Sequence, residues 1–472
     1  MRLKHILQFI RDTHFDVSRR LYRSTLLSAL KSDDKCSSLR DFCVDLERRG
    51  LVSQTHPPNL APKWEQLRDL PNVLYAGFDP TSDSLHVGNL VIFLNLLRSV
   101  QFGCTPIALI GGATALVGDP SGRNSERESM AKEVVANNRL KIERQLEEIA
   151  VNFCSLYGIH NFKLTIVDNS AWYDEMRMID FLRISKSFRV GEMLRMGAIK
   201  SRMLNSGGIS HCEFSYQILQ SYDWYQLSQQ RDCHFQIGGN DQLGHIDVGH
   251  CYIRKMSGKF AAGVCLPIVT DRFGNKLGKS TLDASKDVWL SPQKTSPFAF
   301  YQFFRQKPDD EIHSLFRFLS VRPLAEVDET LKLHSSNLGK WIAQEALADE
   351  LTYLVHGESG LHSAKECSKV LFHGDVDYLK QLSVTEIEDL FGAPSCIRIG
   401  KDELTTFGQL ADRTRGDKIS GSVLMSKGAF YLNGQRYTDP QMRIDLKCIY
   451  LFDKPITVVR WGKRKYKLVR WM

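Results

Sequence analysis

Residues 75–90, YAGFDPTSDSLHVGNL, and 106–122, PIALIGGATALVGDPSG, carry the pattern that decides the fold. Val73, Leu74 and Tyr75 read as the end of a buried strand, which Gly77, Asp79 and Pro80 break. From Leu85 to Val100 the apolar residues return to helical spacing. A second apolar run, 107–110, then stops at Gly111 and Gly112. Strand, glycine turn, helix, strand is the unit of an open parallel sheet, whose ligands sit beyond the carboxyl ends of the strands. The fold class expected is therefore α/β, a doubly wound parallel sheet.

Within this unit His86 and Asn89 lie three apart at the start of the helix, with Gly88 between them leaving room against the backbone. A helix N-terminus favours phosphate, and two hydrogen-bond donors there strengthen the preference. The plainer alternative is that His86 only caps the helix. The string GFDPTSDSLHVGNL resembles the His-x-Gly-His signature of class I aminoacyl-tRNA synthetases, in the form used by bacterial-type tyrosyl-tRNA synthetases. Asn89 replaces the last histidine; it can donate a hydrogen bond but carries neither proton nor charge. The resemblance implies a Rossmann-like catalytic sheet, a following helical domain and a small S4-like α+β RNA-binding domain.

Outward from this core, length and composition set limits. At 472 residues the chain is too long for one hydrophobic core, so two or three domains are expected. Hydrophobic content of 43% and charged content of 25% fit a globular protein, and no apolar run is long enough to span a bilayer. The formal net charge of +8 permits a polyanionic partner without demanding one. The 11 cysteines are scattered without a C-x-x-C pair, which predicts reduced thiols in an intracellular compartment.

The N-terminal segment, 1–38, differs in character. Arg2, Lys4, Arg11, Arg19, Arg20, Arg23 and Lys31 are interleaved with Leu3, Ile6, Leu7, Ile10, Leu21, Leu26 and Leu27, and acids are scarce. Such an amphipathic, arginine-rich start reads as a mitochondrial presequence, which places the expected protein in the mitochondrial matrix. An ordinary basic surface helix is the alternative.

After the first unit, GDPSGRNSERESM sets Arg123 and Arg127 in a glycine- and serine-rich loop beyond a strand end, within reach of a triphosphate. Val135, Ile142, Leu146, Ile149 and Phe153 follow at helical spacing and are assigned to the core. Residues 163–167 read as a strand, and 188–200, FRVGEMLRMGAIK, as a helix. The resemblance implies that this insertion helps to form a homodimer.

Residues 213–229, EFSYQILQSYDWYQLSQ, contain no glycine or proline and read as a helix. Tyr216, Gln220 and Asp223 fall on one stripe, and apolar residues occupy much of the rest. A buried polar stripe needs partners, either other side chains or a bound polar ligand. The stripe is similar to the amino-acid pocket of tyrosyl enzymes. That resemblance implies that Asp223 and Tyr75 hold the substrate phenol. Tyr216, Gln220 and Asp119 would hold its α-amino group, with Gln236 also lining the tyrosine site. No segment resembles an editing domain.

In HFQIGGNDQLGH, 234–245, a strand ends at Gly238 and Gly239, and Asp241 is suited to a ribose diol. Cys233, His234, His245, His250 and Cys251 match no zinc spacing, and no metal ligands are assigned. Residues 266–269 read as another strand. The following DRFGNKLGKS brings Lys276, Lys279 and Ser280 into a glycine-rich loop that can swing onto a phosphate chain. It resembles the second class I signature, Lys-Met-Ser-Lys-Ser. The implied ATP site comprises Asp79, Thr81, Gly88, Gly239, Asp241, Gln242, Val269, Lys279 and Ser280, with Mg²⁺ carried by ATP. Catalytic roles fall to His86, Asn89, Lys276 and Lys279, and a pyrophosphate-contacting role to Arg123 and Arg127.

Beyond the catalytic domain, expected over 39–285, the pattern is helical through 286–390. It turns short-stranded over 391–472, where Asn433-Gly434 signals a hairpin. These parts resemble the anticodon-side and S4-like domains of tyrosyl enzymes. In RWGKRKYKLVRWM, cations alternate with aromatics, a pattern suited to RNA stacking or to an ordinary amphipathic strand. The resemblance implies L-tyrosine, ATP and tRNA(Tyr) as partners. A tryptophanyl enzyme, a small nucleotidyltransferase and an RNA-binding scaffold without catalysis are the rival readings.

Overall fold

The computed structural model describes residues 38–472 apart from 59, 61–63, 122–129, 161, 205–207, 271–286, 374–376, 393–394, 416–419, 446–448 and 463–464. The presequence expectation therefore lies outside the described residues, except for Ser38. Its hydroxyl accepts a hydrogen bond from the Asp41 amide and caps the helix Leu39–Arg48. The chain divides into two compact units. One contains the described residues up to position 277 together with Pro308–Ala343; the other contains those of 278–307 and Gln344–Met472.

The first unit is built on a six-stranded sheet. Its strands are β1 (Gln54–His56), β2 (Val73–Phe78), β3 (Thr105–Ile110), β4 (Thr165–Asp168), β5 (Phe235–Gly239) and β6 (Ala262–Leu266). Their order is β1-β6-β5-β2-β3-β4, with β1 antiparallel to β6 and the other pairs parallel. From β2 the chain winds outward through β3 and β4. It then returns to the other side of β2 for β5 and β6. The reversal lies between β2 and β5, where Tyr75 pairs with Gln236, and a crevice opens at the strand ends of such a switch point.

Several strand boundaries differ from the sequence reading: β3 starts at Thr105 and not at 107, and β4 spans Thr165–Asp168 and not 163–167. Strand β2 continues through Gly77 to Phe78, because pairing with β3 on one side outweighs the glycine's weak strand preference. The last strand ends at Leu266 and does not occupy 266–269: Pro267 follows, and it has no N–H for the ladder. The segment 188–200 is not one helix but two short ones, Val190–Met193 and Gly197–Met203. Between them Met196 takes an extended ψ of 133°, and its side chain lies where a Cβ on Gly244 would come within 2.7 Å.

Helices cover the sheet as the apolar spacing requires. Val135, Ile142, Leu146, Ile149 and Phe153 of the helix Lys132–Tyr157 are buried, as are Leu90, Phe93, Leu94 and Leu97 of the helix Val87–Arg98. The helices Asp309–Leu319 and Leu324–Ser336 also belong to this unit. Arg49 donates to the carbonyls of Arg317 and Arg322, Arg98 to those of Phe318 and Ser320, and Gln101 to that of Val321. These donors saturate carbonyls at and just beyond a helix C-terminus, which would otherwise be orphaned and which favours positive charge. The stretch 286–390, expected as a single helical domain, is thus shared between the two units.

The second unit holds the helix Pro297–Arg305, nearly all of the long helix Ile342–His373 and a five-stranded sheet. That helix is interrupted at Gly357, whose φ of 70° and ψ of −174° are non-helical. The sheet strands are β7 (Cys396–Ile399), β8 (Phe430–Leu432), β9 (Gln435–Tyr437), β10 (Ile456–Trp461) and β11 (Lys465–Trp471), ordered β7-β11-β10-β8-β9. Asn433 and Gly434 join β8 to β9 with φ of 47° and 87°, the paired positive values of a tight hairpin turn. Trp461, Tyr466 and Trp471 are buried, with Trp461 and Trp471 in the core beside Phe407, Phe430 and Val459. Of the two readings of the C-terminal run, the amphipathic strand is therefore the right one for these rings. Among its cations, Arg470 pairs with Glu388 and Arg460 stacks 4.0 Å over Tyr431.

Candidate functional site

The polar stripe of the helix His211–Arg231 faces the crevice between β2 and β5. Asp223 is 2% exposed, and it accepts hydrogen bonds from Asn169 Nδ2 at 3.0 Å and Trp172 Nε1 at 2.9 Å. Burial raises its carboxyl to about 7; the donors Asn169, Tyr173 and Trp172 oppose that rise, while the charge of Asp79 adds to it. Tyr75 lies close enough for the Asp223 charge, after burial itself, to push its phenol well upward. The Tyr75 hydroxyl is buried without a hydrogen-bond partner, and so are Oε1 of Gln236 and Oε1 of Gln220. Buried polar atoms without partners are rare, and several in one crevice mark a place built for a polar ligand.

From Asp223 a chain of hydrogen bonds runs across the site. Asn169 Nδ2 also donates to Thr114 Oγ1 at 3.0 Å, Thr114 Oγ1 to Asp79 Oδ1 at 2.8 Å, and the Tyr216 hydroxyl to Asp79 Oδ2 at 2.8 Å. The carboxylate of Asp79, expected at the nucleotide, is engaged by Tyr216 and Thr114. Gly111 makes this possible, since a Cβ there would lie 1.9 Å from Asp79 Oδ1. A second chain starts at Gln220, whose Nε2 donates to Gln242 Oε1 at 3.2 Å. Gln242 Nε2 donates in turn to Asp119 Oδ2 at 2.8 Å. The structure thus joins Gln242, assigned to ATP, to the group formed by Tyr216, Gln220 and Asp119. Although burial acts the other way, hydrogen bonds from His245, Ser121 and Gln242 hold the Asp119 carboxyl well below the usual range.

His86, beyond the end of β2, is the N-cap of the helix Val87–Arg98. Its Nδ1 accepts from the Asn89 amide at 3.3 Å, and Asn89 Oδ1 accepts from the His86 amide at 3.2 Å. His86 therefore does cap the helix, and capping through Nδ1 does not compete with phosphate binding through Nε2. With Nδ1 an acceptor, a neutral imidazole carries its proton on Nε2, and Asn89, its oxygen committed, can offer only N–H donors. Both residues are thereby set as donors at a helix N-terminus, beside Gly88 in the first turn.

Thr81 is half-buried in the turn after β2, and Val269 half-buried after β6. Gly239 ends β5, and Asp241 is exposed in the single turn Asn240–Gln242. A Cβ on Gly239 would stand 2.6 Å from Asp241 Oδ1, so the glycine is needed for that approach. Arg123, Arg127, Lys276, Lys279 and Ser280 lie outside the described residues. Sequence reasoning missed Thr114, Asn169, Trp172, Ser121 and His245. Asn169 directly follows an apolar strand in the sequence, at the place where such sheets present ligand groups, and that position was the signal available for it.

The family described as tRNA synthetases class I (W and Y) matches residues 68–373. The mitochondrial tyrosine–tRNA ligase of Drosophila melanogaster is 36% identical over 464 residues, covering 96% of this chain and 99% of its own length. The mitochondrial tyrosine–tRNA ligase of Homo sapiens is 37% identical, covering 85% of this chain and 84% of its own. Among solved structures, a C-terminally truncated mitochondrial tyrosyl-tRNA synthetase of Aspergillus nidulans superposes with a TM-score of 0.63. It shares 26% identity and covers 76% of this chain and all of its own. Sheet order, crevice and sequence agree: this chain belongs to the class I tRNA synthetases of the tryptophan and tyrosine group.

Proposed function

We propose that the chain activates L-tyrosine with ATP to tyrosyl-adenylate and transfers tyrosine to tRNA(Tyr) in the mitochondrial matrix. The observation that carries the choice of tyrosine is the buried pair Tyr75 and Asp223. A phenol between them donates to the Asp223 carboxylate and accepts from the Tyr75 hydroxyl. An indole N–H only donates, so tryptophan would leave Tyr75 unpaired, and phenylalanine would leave both. Tyr216, Gln220 and Asp119 receive the α-ammonium, with Gln236 at the wall of the site.

The first step is in-line attack of the tyrosine carboxylate on the α-phosphate, with pyrophosphate leaving; the second passes the tyrosyl group to the terminal ribose of the tRNA. No protein nucleophile takes part. Positioning, and donors aimed at charge that develops on phosphate, supply the acceleration. His86 and Asn89 serve the phosphates, and Lys276 and Lys279, with Arg123 and Arg127, the pyrophosphate. Thr81, Gly88, Gly239, Asp241, Val269 and Ser280 surround the nucleotide, and Mg²⁺ rides on the ATP phosphates.

The mitochondrial names of the relatives, together with the basic, acid-poor N-terminal segment, support the compartment. The C-terminal unit, with its α+β sheet region, is read as carrying the S4-like RNA-binding part. A homodimer is supported by apolar exposure concentrated in one segment: Met178, Ile179, Leu182, Val190 and Leu194 are exposed, and Leu204 is 88% exposed. A monomeric mass in solution, by light scattering, would refute the dimer. The assay for the main reading is amino-acid-dependent ATP–pyrophosphate exchange with tyrosine, phenylalanine and tryptophan. Tyrosine should be strongly preferred; exchange driven better by tryptophan, or by no amino acid, rejects the reading.

A further inference from the structure

His245 belongs to a group of histidines and cysteines whose spacing suits no metal, and neither the family signatures nor the tyrosine stripe includes it. It sits in the first turn of the helix Leu243–Ser257 and is fully buried, with its ring 5.3 Å from that of Tyr216. Its Nε2 lies 2.9 Å from Ser121 Oγ and 3.2 Å from Asp119 Oδ1. An ionised carboxylate only accepts, so the contact with Asp119 requires a proton on Nε2. Nδ1 is buried with no hydrogen-bond partner, and a second N–H placed there would have no acceptor. The ring thus presents its one useful donor to Asp119 Oδ1 and the neighbouring Ser121 Oγ.

Asp119 is held from both sides. Oδ2 accepts from Gln242, and Oδ1 from the Ser121 amide at 2.8 Å as well as from His245. Among the described residues no lysine or arginine forms an ion pair with it. A nearly buried carboxylate that stays ionised beside donors of this kind carries a charge suited to a cationic ligand.

We propose that His245 is a positioning residue for amino-acid binding: its Nε2–H fixes the rotamer of Asp119, so that the carboxylate meets the α-ammonium of the substrate. The inference rests on the proposed role of Asp119 in holding that ammonium. Loss of the donor frees the carboxylate to turn, and the effect falls on ammonium recognition, not on the phenol end or the phosphates.

The test uses the full chain and three probes: tyrosine, tyramine, which keeps the ammonium, and 3-(4-hydroxyphenyl)propionate, which lacks it. His245→Leu should raise the tyrosine KM in pyrophosphate exchange about tenfold, the size expected for one hydrogen bond to a charged group, and leave kcat unchanged. Tyramine should weaken as an inhibitor to the same degree, while the desamino acid keeps its inhibition constant. His245→Gln, which restores an N–H at the same reach, should return the KM to within twofold or threefold of the starting value. If the leucine variant fails to fold, His245→Met, an unbranched filler of similar size, replaces it.

The proposal is overturned if all three probes weaken alike, or if His245→Gln behaves as the apolar variants do, since either result means that the ring only packs. Asp119→Asn separates the two levels of the argument. If it weakens tyrosine and tyramine strongly while His245→Leu changes nothing, the pocket stands and the role of His245 falls. If Asp119→Asn binds tyrosine normally, the ammonium site itself has been misassigned.

Discussion

Asp223→Ala is expected to abolish the preference for tyrosine over phenylalanine in pyrophosphate exchange. The carboxylate is nearly inaccessible and anchored by Asn169 and Trp172, which hold it as a fixed acceptor. A site built to hydrogen-bond a hydroxyl rejects the analogue lacking it by roughly 10⁴-fold to 10⁵-fold, the range known for tyrosyl enzymes. The ratio of kcat/KM values should collapse towards unity, mainly through loss of tyrosine activity. A variant that still prefers tyrosine by a thousandfold or more would show that the phenol is recognised elsewhere.

The same residue predicts a pH dependence. Its carboxyl is raised to about 7, so in the ligand-free protein it is protonated below that pH and ionised above it. The ionised form is the stronger acceptor for a phenol. Tyrosine affinity should therefore fall as pH drops below about 7 and level off above it, and Asp223→Asn should flatten this limb. A carboxyl that ionises near neutrality is also a cost to the fold. The group binds its proton more tightly when folded than when unfolded, so its contribution is most favourable in acid and is lost as pH rises through about 7.

His86→Ala carries the second large effect, and it divides into two separable parts. The imidazole Nδ1 caps the helix Val87–Arg98, so its removal should cost about 1 kcal/mol of stability, read as a shift in the urea midpoint. In the proposed reaction the Nε2 donor serves the phosphates, and deleting one donor aimed at developing charge should lower kcat by about 10²-fold to 10³-fold. The tyrosine KM should change little, because the pocket of Tyr75 and Asp223 is elsewhere in the crevice. His86→Asp, which can cap but brings an acceptor and a negative charge to the phosphates, should recover stability and not kcat. Recovery of both would assign His86 to structure alone.

Much of the candidate site was legible because its residues come in short runs. His86, Gly88 and Asn89 share one turn, and Tyr216, Gln220 and Asp223 one helix face, so local periodicity alone groups them. Thr114, Asn169 and Trp172 were not legible. Each is an ordinary polar or aromatic residue after a strand, and only the packing of β3, β4 and the His211–Arg231 helix makes them a chain of donors. Gln242 shows the same limit in another form: adjacent in sequence to Asp241, it is turned by a single helical turn towards Asp119.

By itself, the order of residues determined the parallel sheet, the glycine ends of β3 and β5 and the Asn433-Gly434 hairpin. Apolar period and backbone-permissive residues act over a few positions and need no distant partner. Only the tertiary structure decided that Trp461, Tyr466 and Trp471 are buried and not displayed, and that the helices Asp309–Leu319 and Leu324–Ser336 join the first unit. It likewise decided that His245, discarded as a ligand by its spacing, meets Asp119. Burial and long-range hydrogen bonds depend on what arrives from elsewhere in the chain, and no local pattern encodes that arrival.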